Sequence, residues 1–405
     1  MPALKNIKRL PEDLINRIAA GEVVERPASV IKELVENSID AGATHISIVT
    51  AKGGKDLMRV SDNGSGMDEN NLKLCVERHA TSKLSNDQLD RINSLGFRGE
   101  ALASIGSVAQ LSVKSRPHDQ GTGLIVEVTG GKISQPGPVS MNRGTIVEVK
   151  NLFAKVPARL KFLKGDRAEN SAITDIIKRL AMANPSVHFI LEGGDRQTSN
   201  WPGQTGPDAQ KSRLGQIIGS EFINNSVVLA NTRHKIVVTG MAGLPTFTRA
   251  NSMMQFFFVN GRAVRDKVLI GAVRAAYGDF IFRGRFPVVA IFVDIDPGEV
   301  DVNVHPAKTE LRFRDSGAVR SAVIAATGLA LNEAGYRASS QLSTSTIGAF
   351  STPAQSGQTR TGFPPSAGST QFISSAQPSN VEFEGLSEPS ARYEEPQQED
   401  YSDFA

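Results

Sequence analysis

Cysteine occurs once, at Cys75, in a chain of 405 residues. No disulfide can close within such a chain, and a structural zinc site built on thiolates is excluded. A reducing cytoplasm suits this composition. No apolar stretch approaches the ~18 residues of a membrane span. The opening segment, Met1 to Leu14, is charged throughout and has no signal-peptide run. The phosphate-loop string G-x-x-x-x-G-K-[ST] is missing, and so is a dinucleotide-binding glycine fingerprint. Any nucleotide site must therefore be built in another way. Internal repeats are also absent.

What is present divides unevenly. The net charge is +3. From Tyr336 to Ala405 there are three Arg, no Lys and eight acids, a net of −5, which leaves +8 on residues 1–335. A moderately basic body is compatible with a polyanion partner. From Ala338 onward Ser, Thr, Gln, Pro and Gly dominate, so 336–405 reads as a disordered acidic tail. A Gly- and Pro-rich break at Trp201 to Pro207 separates 1–205 from 206–335. Both parts mix strand and helix patterns, which predicts an α/β (α+β) fold. In the first part, strands are expected at His45–Val49, Leu57–Val60, Leu111–Lys114, Leu124–Val128, Thr145–Val149 and Val187–Glu192. Helices are expected after Pro11, through Lys32–Ala41 and at Ala168–Ala183. In the second part the strands are Lys235–Met241, Gln255–Val259 and Pro287–Asp294, and the helices Asp266–Tyr277 and Ser316–Ala334.

Four segments can carry chemistry. Glu33 and Asn37 lie four apart and share one helix face. A carboxylate there can take a proton from water, and an amide oxygen can complete a Mg²⁺ shell of phosphates and waters. An ordinary solvated helix face has the same composition, and the pair alone leaves both readings open. Ser61 to Met67 follows a strand; Gly64 and Gly66 permit close approach by a flat ligand, and Asp62 can accept from an exocyclic amine. A plain Asn-Gly turn fits equally well. In Ser94 to Ile105 two glycines precede a helix, an arrangement that serves as an anion site or as a simple turn. Asp301 to Lys308 reads as a strand ending at Pro306, with Lys308 either a solvated charge or a phosphate contact.

Taken together and in order, these segments resemble the MutL family of DNA mismatch-repair proteins. That family sits in the superfamily of gyrase B subunits, ninety-kilodalton heat-shock chaperones and histidine kinases. The matching strings are Ala19–Val24, Lys32–Gly42, Asp62–Gly66, His79–Lys83, Gly96–Leu102, Phe258–Arg262 and Val302–Lys308. The resemblance implies a Bergerat-type helix-on-sheet ATPase sandwich, then an α/β domain like that of a small-ribosomal-subunit protein. It implies Glu33 as general base, Asn37 as Mg²⁺ ligand and Asp62 as adenine acceptor, supported through water by Thr145. Thr81, Ser82, Lys83, Gly96, Phe97, Arg98 and Gly99 become a lid over the phosphates, and Lys308 a γ-phosphate contact. ATP and Mg²⁺ are the implied cofactors. The implied work is slow hydrolysis in the bacterial cytosol, at the nucleoid. ATP would order the lid and the arm Ile18–Val24, so that two N-terminal modules dimerise. Implied partners are DNA, a MutS-type mismatch-recognition protein and a downstream nuclease or helicase. Arg262, Arg265, Lys267 and Arg274 are the DNA-contact candidates, with Arg283 and Arg285 beyond them; such residues touch phosphates without reading sequence.

The chain departs from the family in stopping at Ala405, inside what reads as a linker, as a fragment or a truncation would. No Asp-Gln-His-Ala type endonuclease string is present. Two other classes compete: a clamp that binds ATP without hydrolysing it, and a type II topoisomerase subunit. The Glu33 carboxylate argues against the first. Arg98 in its Gly-Phe-Arg-Gly-Glu setting and the His-Pro-Ala-Lys loop argue against the second.

Overall fold

The computed structural model describes residues 11, 20–21, 23–83, 95–96, 99–278, 280–301 and 311–349, with side chains in the last span to 335. Chain contacts divide the protein into one compact unit of residues 1–348 and a second of 349–405. The expected helix after Pro11, the strand to Pro306 with Lys308, Phe97, Arg98 and nearly all of the tail lie outside the described residues.

The first half runs α1 (Pro27–Asp40), β1 (His45–Ala51), β2 (Leu57–Asp62), α2 (Glu69–Leu74), α3 (Ala101–Val108), β3 (Gln110–Arg116), β4 (Gly123–Thr129), β5 (Lys132–Ile133), β6 (Gly137–Val139), β7 (Gly144–Lys150), α4 (Pro157–Phe162), α5 (Asp166–Ala183), β8 (His188–Gly193) and β9 (Ser199–Trp201). These strands form one sheet in the order β5-β4-β3-β7-β2-β1-β8-β9, with β6 beside β4. β1 pairs with β8 in parallel and with β2 antiparallel. Alternation decides which face is covered. Ile46 and Ile48 of β1, Met58 and Val60 of β2, and Phe189 and Leu191 of β8 are buried together with Leu34 of α1, Ile105 of α3 and Ile173 of α5. Helices thus cover one face of the sheet.

The second half runs α6 (Ala209–Ile218), α7 (Ser220–Asn224), β10 (Ser226–Arg233), β11 (Ile236–Gly243), β12 (Thr248–Arg249), β13 (Gln255–Val259), β14 (Arg262–Val264), α8 (Lys267–Ala276), β15 (Phe286–Pro287), β16 (Val289–Asp294), β17 (Val300–Asp301), β18 (Arg312–Phe313) and α9 (Ser316–Ala349). Its main sheet is ordered β10-β11-β16-β13-β14, with β13 and β16 parallel. β13 is buried on both faces, which is why it reads as an unbroken apolar run. Phe257 and Val259 pack with Leu269 of α8 and Val319 of α9. Phe256 and Phe258 pack with Leu214 of α6, Phe222 of α7 and Met182 of α5. Met182 therefore joins a first-half helix to the second sheet.

The expected strands and helices that fall on described residues are present, most with ends moved by a residue or two; α1 starts five residues earlier than expected, at Pro27, and the strand expected over Pro287–Asp294 is split into β15 and β16. Of the elements that were not expected, α6, α7 and β14 bury side chains such as Leu214, Phe222 and Val264, and others bury little. α4 buries no side chain, and β10 buries only Leu229 of its eight residues. α9 is the clear difference: its backbone continues to Ala349, past the Ala338 at which composition predicts disorder. A helix nucleated by packed first turns propagates on local hydrogen bonds.

One cap fixes how α1 hands the chain to β1. Gly42 adopts φ +72°. Its N–H donates to Ile39 O (2.9 Å), and Ala43 N–H donates to Ser38 O (3.1 Å). This is the two-bond glycine cap that satisfies the last helical carbonyls. A methyl at Gly42 meets nothing within 4 Å, so the cost of substitution is purely conformational. Gly42→Ala is expected to cost about 1–2 kcal/mol, seen as a lower urea midpoint at unchanged slope.

Candidate functional site

α1 begins with Pro27 in its first turn, where the fixed φ suits helix entry. Ile31, Leu34 and Val35 are buried in the core. Their burial turns Glu33, Asn37 and Asp40, spaced i, i+4 and i+7, to the other side of the helix. That side is where the chain gathers its functional groups.

Asp40 is the centre of the cluster. Its Oδ1 accepts from Leu95 N–H (3.0 Å) and its Oδ2 from Gly96 N–H (3.0 Å). The Lys83 ammonium donates to Asp40 Oδ2 (2.5 Å) and to Asn37 Oδ1 (2.8 Å). One carboxylate thus holds both described ends of the segment that the sequence marks as a lid. A methyl at Gly96 would stand 3.2 Å from Lys83 Nζ and 3.4 Å from Asn37 Oδ1, so glycine keeps this contact open. At Gly99, φ is +60° and a methyl would come within 2.6 Å of Ala80 O. Lys83 N–H also donates to Thr81 Oγ1 (3.2 Å); Thr81 and Ser82 are exposed. Glu33 lies one turn before Asn37, with Lys32 Nζ 3.6 Å from its Oε1.

Asp62 closes β2 at the foot of α1. Its Oδ1 accepts from Gly64 N–H (2.9 Å) and its Oδ2 from Ser38 Oγ–H (2.8 Å). Burial raises its pKa, and the bonds from Gly64, Ser38 and Thr145 oppose that rise. Thr145 faces Asp62 across the β2–β7 ladder. The Thr145 hydroxyl lies 3.0 Å from Ser115 Oγ, which also accepts from Met67 N–H (2.8 Å). Gly66, at φ +71°, leaves no room for a side chain: a methyl would meet Arg116 O at 2.5 Å. Asp62, Thr145, Gly64 and Gly66 are therefore brought together.

Arg262 requires a correction. The sequence groups it with exposed DNA contacts, but it is only 8% exposed. Its Nη1 donates to Leu95 O (3.0 Å). Burial lowers its pKa, while Glu36, Asp40 and Glu33 pull it back up. A guanidinium enclosed there cannot track a DNA backbone; it ties β14 to Leu95 instead. Arg265, Lys267 and Arg274 are exposed, with Arg265 3.9 Å from Asp175. Three further residues matter here without a role having been read from the sequence: Asp40, Ser38 and Ser115. Asp40 was findable, since it extends the 33–37 spacing by three.

Comparison with known proteins fits this geometry. Residues 25–151 match the model for histidine kinase-, DNA gyrase B-, and HSP90-like ATPases, and residues 214–332 that for the DNA mismatch repair protein C-terminal domain. The DNA mismatch repair protein MutL of Rhizobium johnstonii is 50% identical over 403 residues, covering 96% of this chain and 65% of that protein. The chain belongs to the MutL family. MutL of Brucella abortus is 54% identical over 332 residues, 82% of this chain and 53% of that protein. The chain thus spans between about half and two thirds of the length of these curated MutL relatives. Among solved structures, the Aquifex aeolicus MutL ATPase domain complexed with ADP superposes with a TM-score of 0.53 at 27% identity, covering 74% of this chain and 98% of that one. The N-terminal domain of a DNA repair protein gives 0.66 at 26%, covering 79% and 98%. The fold is the MutL one: a helix-on-sheet ATPase sandwich, then the smaller α/β unit.

Asp62→Asn gives a test with two readouts. Because the folded-state pKa is raised, the folded chain holds this proton more tightly than the unfolded chain. The contribution to stability is full below the ordinary carboxylate value and is lost as pH rises through the raised one. At pH 7 the half-buried charge therefore subtracts stability. Asp62→Asn removes that charge and keeps an acceptor for Gly64. Its thermal midpoint at pH 7 is expected to hold or rise, while ATP affinity by titration calorimetry falls about tenfold or more.

Proposed function

We propose that this chain binds Mg·ATP on the exposed side of α1, hydrolyses it slowly and acts as an ATP-dependent switch in DNA mismatch repair. The observation that carries this reading is that the last turn of α1 holds two groups at once: Ser38 bonds Asp62, while Asn37 and Asp40 hold the lid clasp of Lys83, Leu95 and Gly96. That arrangement suits a purine nucleotide, with a half-buried acceptor for the base and backbone N–H groups for the phosphates.

Asp62 accepts the adenine amine, and Thr145 supports it through water. Gly64 and Gly66 let the backbone lie against the ring. Thr81, Ser82, Lys83 and the Gly96, Phe97, Arg98, Gly99 turn close over the phosphates, and residues 206–335 present Lys308 to the γ-phosphate. Asn37 holds Mg²⁺. The donor set suits it: a neutral amide oxygen already carries a cation, the Lys83 ammonium, and Mg²⁺ takes few protein ligands while keeping waters. When bound, the ion neutralises phosphate charge. Glu33 takes the proton of the attacking water.

Closure of the lid is the step with consequences. Arg262 links Leu95 to β14, which supports a lid that closes together with the second α/β unit. ATP-bound modules then pair through the arm Ile18–Val24 and part after hydrolysis. Lys267 and Arg274 contact DNA phosphates. Lys267 stands in the first turn of α8, where the helix dipole repels a cation, so its exposed charge gains from a polyanion. A MutS-type protein and a downstream nuclease or helicase receive the signal in the bacterial cytosol.

Glu33→Ala is expected to leave ATP affinity within about twofold and to lower single-turnover hydrolysis by ~10²-fold or more, the usual weight of a general base. Hydrolysis at the unsubstituted rate would remove Glu33 from that role and favour a clamp driven by binding alone.

A further inference from the structure

Two of the chain's six histidines, His45 and His188, meet on a face of the first sheet that the nucleotide site does not use. β1 and β8 run parallel, with His45 opposite His188 in the register. Ile46, Ile48, Phe189 and Leu191 point into the core under the helices. Alternation therefore turns both histidines to the face away from the helices. Each is half-buried. Their ring centres stand 4.5 Å apart, with the planes at 79°.

The backbone beneath the rings is braced. Asn63 Oδ1 accepts from Thr44 N–H and His45 N–H, each at 2.9 Å, and Asn63 N–H donates to His45 O (3.3 Å). Asn63 Nδ2 donates to Thr44 Oγ1 (2.9 Å), and His188 N–H donates to Thr44 O (2.9 Å). The two strands are thus tied together at the residue where the pair begins, so the rings are held near one another at no further ordering cost.

The ring nitrogens are set up as ligands. His188 Nε2 lies 2.7 Å from Asn200 Oδ1. An amide oxygen only accepts, so Nε2 carries the proton and Nδ1 keeps its lone pair. Asn200 then acts as the outer partner that orients a ligating histidine. Among the described residues none hydrogen-bonds to the His45 ring. Burial, and then the neighbouring His188, lower the His45 pKa, so this ring is neutral at pH 7.

Donor chemistry selects the ion. Mg²⁺ and Ca²⁺ take oxygen ligands, whereas neutral imidazole suits Zn²⁺, Ni²⁺ and Cu²⁺. Two imidazole nitrogens at ~2.0–2.1 Å from one Zn²⁺ leave the ring centres roughly 4.5–5 Å apart. The observed separation falls in that range. Among the described residues no group of three or more His, Cys, Asp or Glu is placed to hold a metal, so the protein supplies two ligands and solvent the others. An edge-to-face contact of two rings with no ion has similar spacing, and the response to metal separates the two.

We propose that His45 and His188 form a two-histidine site for a first-row transition dication such as Zn²⁺, which cross-links β1 to β8 beside the Asn63 turn. The site is separate from the Mg²⁺ proposed at Asn37, where the donor is an oxygen.

The test uses the full chain without an affinity tag and without nucleotide, titrated with Zn²⁺ or Mg²⁺ alone in a calorimeter and followed by thermal unfolding. One equivalent of Zn²⁺ is expected to bind at pH 7. At zinc about tenfold above its dissociation constant the thermal midpoint should rise by about 2–4 °C, and Mg²⁺ at the same concentration should give no such rise. Affinity should fall as pH drops from about 7 to 5, because protons compete for the imidazoles. His45→Gln and His188→Gln should each remove that equivalent of Zn²⁺ and the midpoint rise. With chelator present both variants should melt with the unsubstituted chain, since each ring sits on the outer face of the sheet. Absence of Zn²⁺ binding to the unsubstituted chain overturns the site and leaves a ring contact. Binding that survives both substitutions, or is lost with only one of them, also overturns it.

Discussion

The Asp40 carboxylate is the point on which the site depends. It accepts two lid N–H groups and the Lys83 ammonium, and each of those groups needs it for a different reason. The Leu95 and Gly96 amides lie outside any helix or strand, and the Asp40 carboxylate accepts from both. Lys83 is partly buried and needs a counter-charge. Asp40 can serve all three only because α1 is held at a fixed rotation by Ile31, Leu34 and Val35 on its far side. The core of the sandwich therefore sets the lid geometry through one helix.

The same helix joins the two groups proposed to hold the nucleotide. Ser38 connects it to Asp62, Asn37 and Asp40 connect it to the lid, and Glu33 stands one turn earlier. Arg262 adds a connection of another kind, because it reaches the Leu95 carbonyl from β14 while facing Glu33, Glu36 and Asp40. A lid whose amide is held by α1 and whose carbonyl is held by the second sheet cannot move without disturbing one of them. In a switch, this is the physical form that coupling takes: an element whose position both halves bias.

Much of this was legible in the sequence, for identifiable reasons. β1 and β13 declare themselves because one alternates and the other is apolar throughout, as coverage on one face or two requires. α1 was legible from its apolar spacing and terminal glycine. Asp62 and the loop glycines Gly64 and Gly66 stood out because they follow a strand end, and Thr145 entered through the family resemblance; the structure brings the four together. Other features had no local signal. α4 and β10 bury almost nothing. α9 runs on past the composition change, its helical backbone continuing to Ala349. Arg262 looks in sequence like its exposed neighbours Arg265 and Lys267; only the tertiary contact with Leu95 separates a buried clasp from a surface charge. Asp40 was within reach of a spacing argument, but its partners lie 43 to 56 residues away.

Hydrogen–deuterium exchange at the Leu95 and Gly96 amides, with and without Mg·ATP, in the unsubstituted chain and in Asp40→Ala, tests the clasp most directly. The account predicts slow exchange at both amides in the free protein, fast exchange in free Asp40→Ala, and renewed protection in that variant when Mg·ATP supplies phosphate acceptors. Protection that survives Asp40→Ala in the free protein would contradict it, since the lid would then be held by something other than α1.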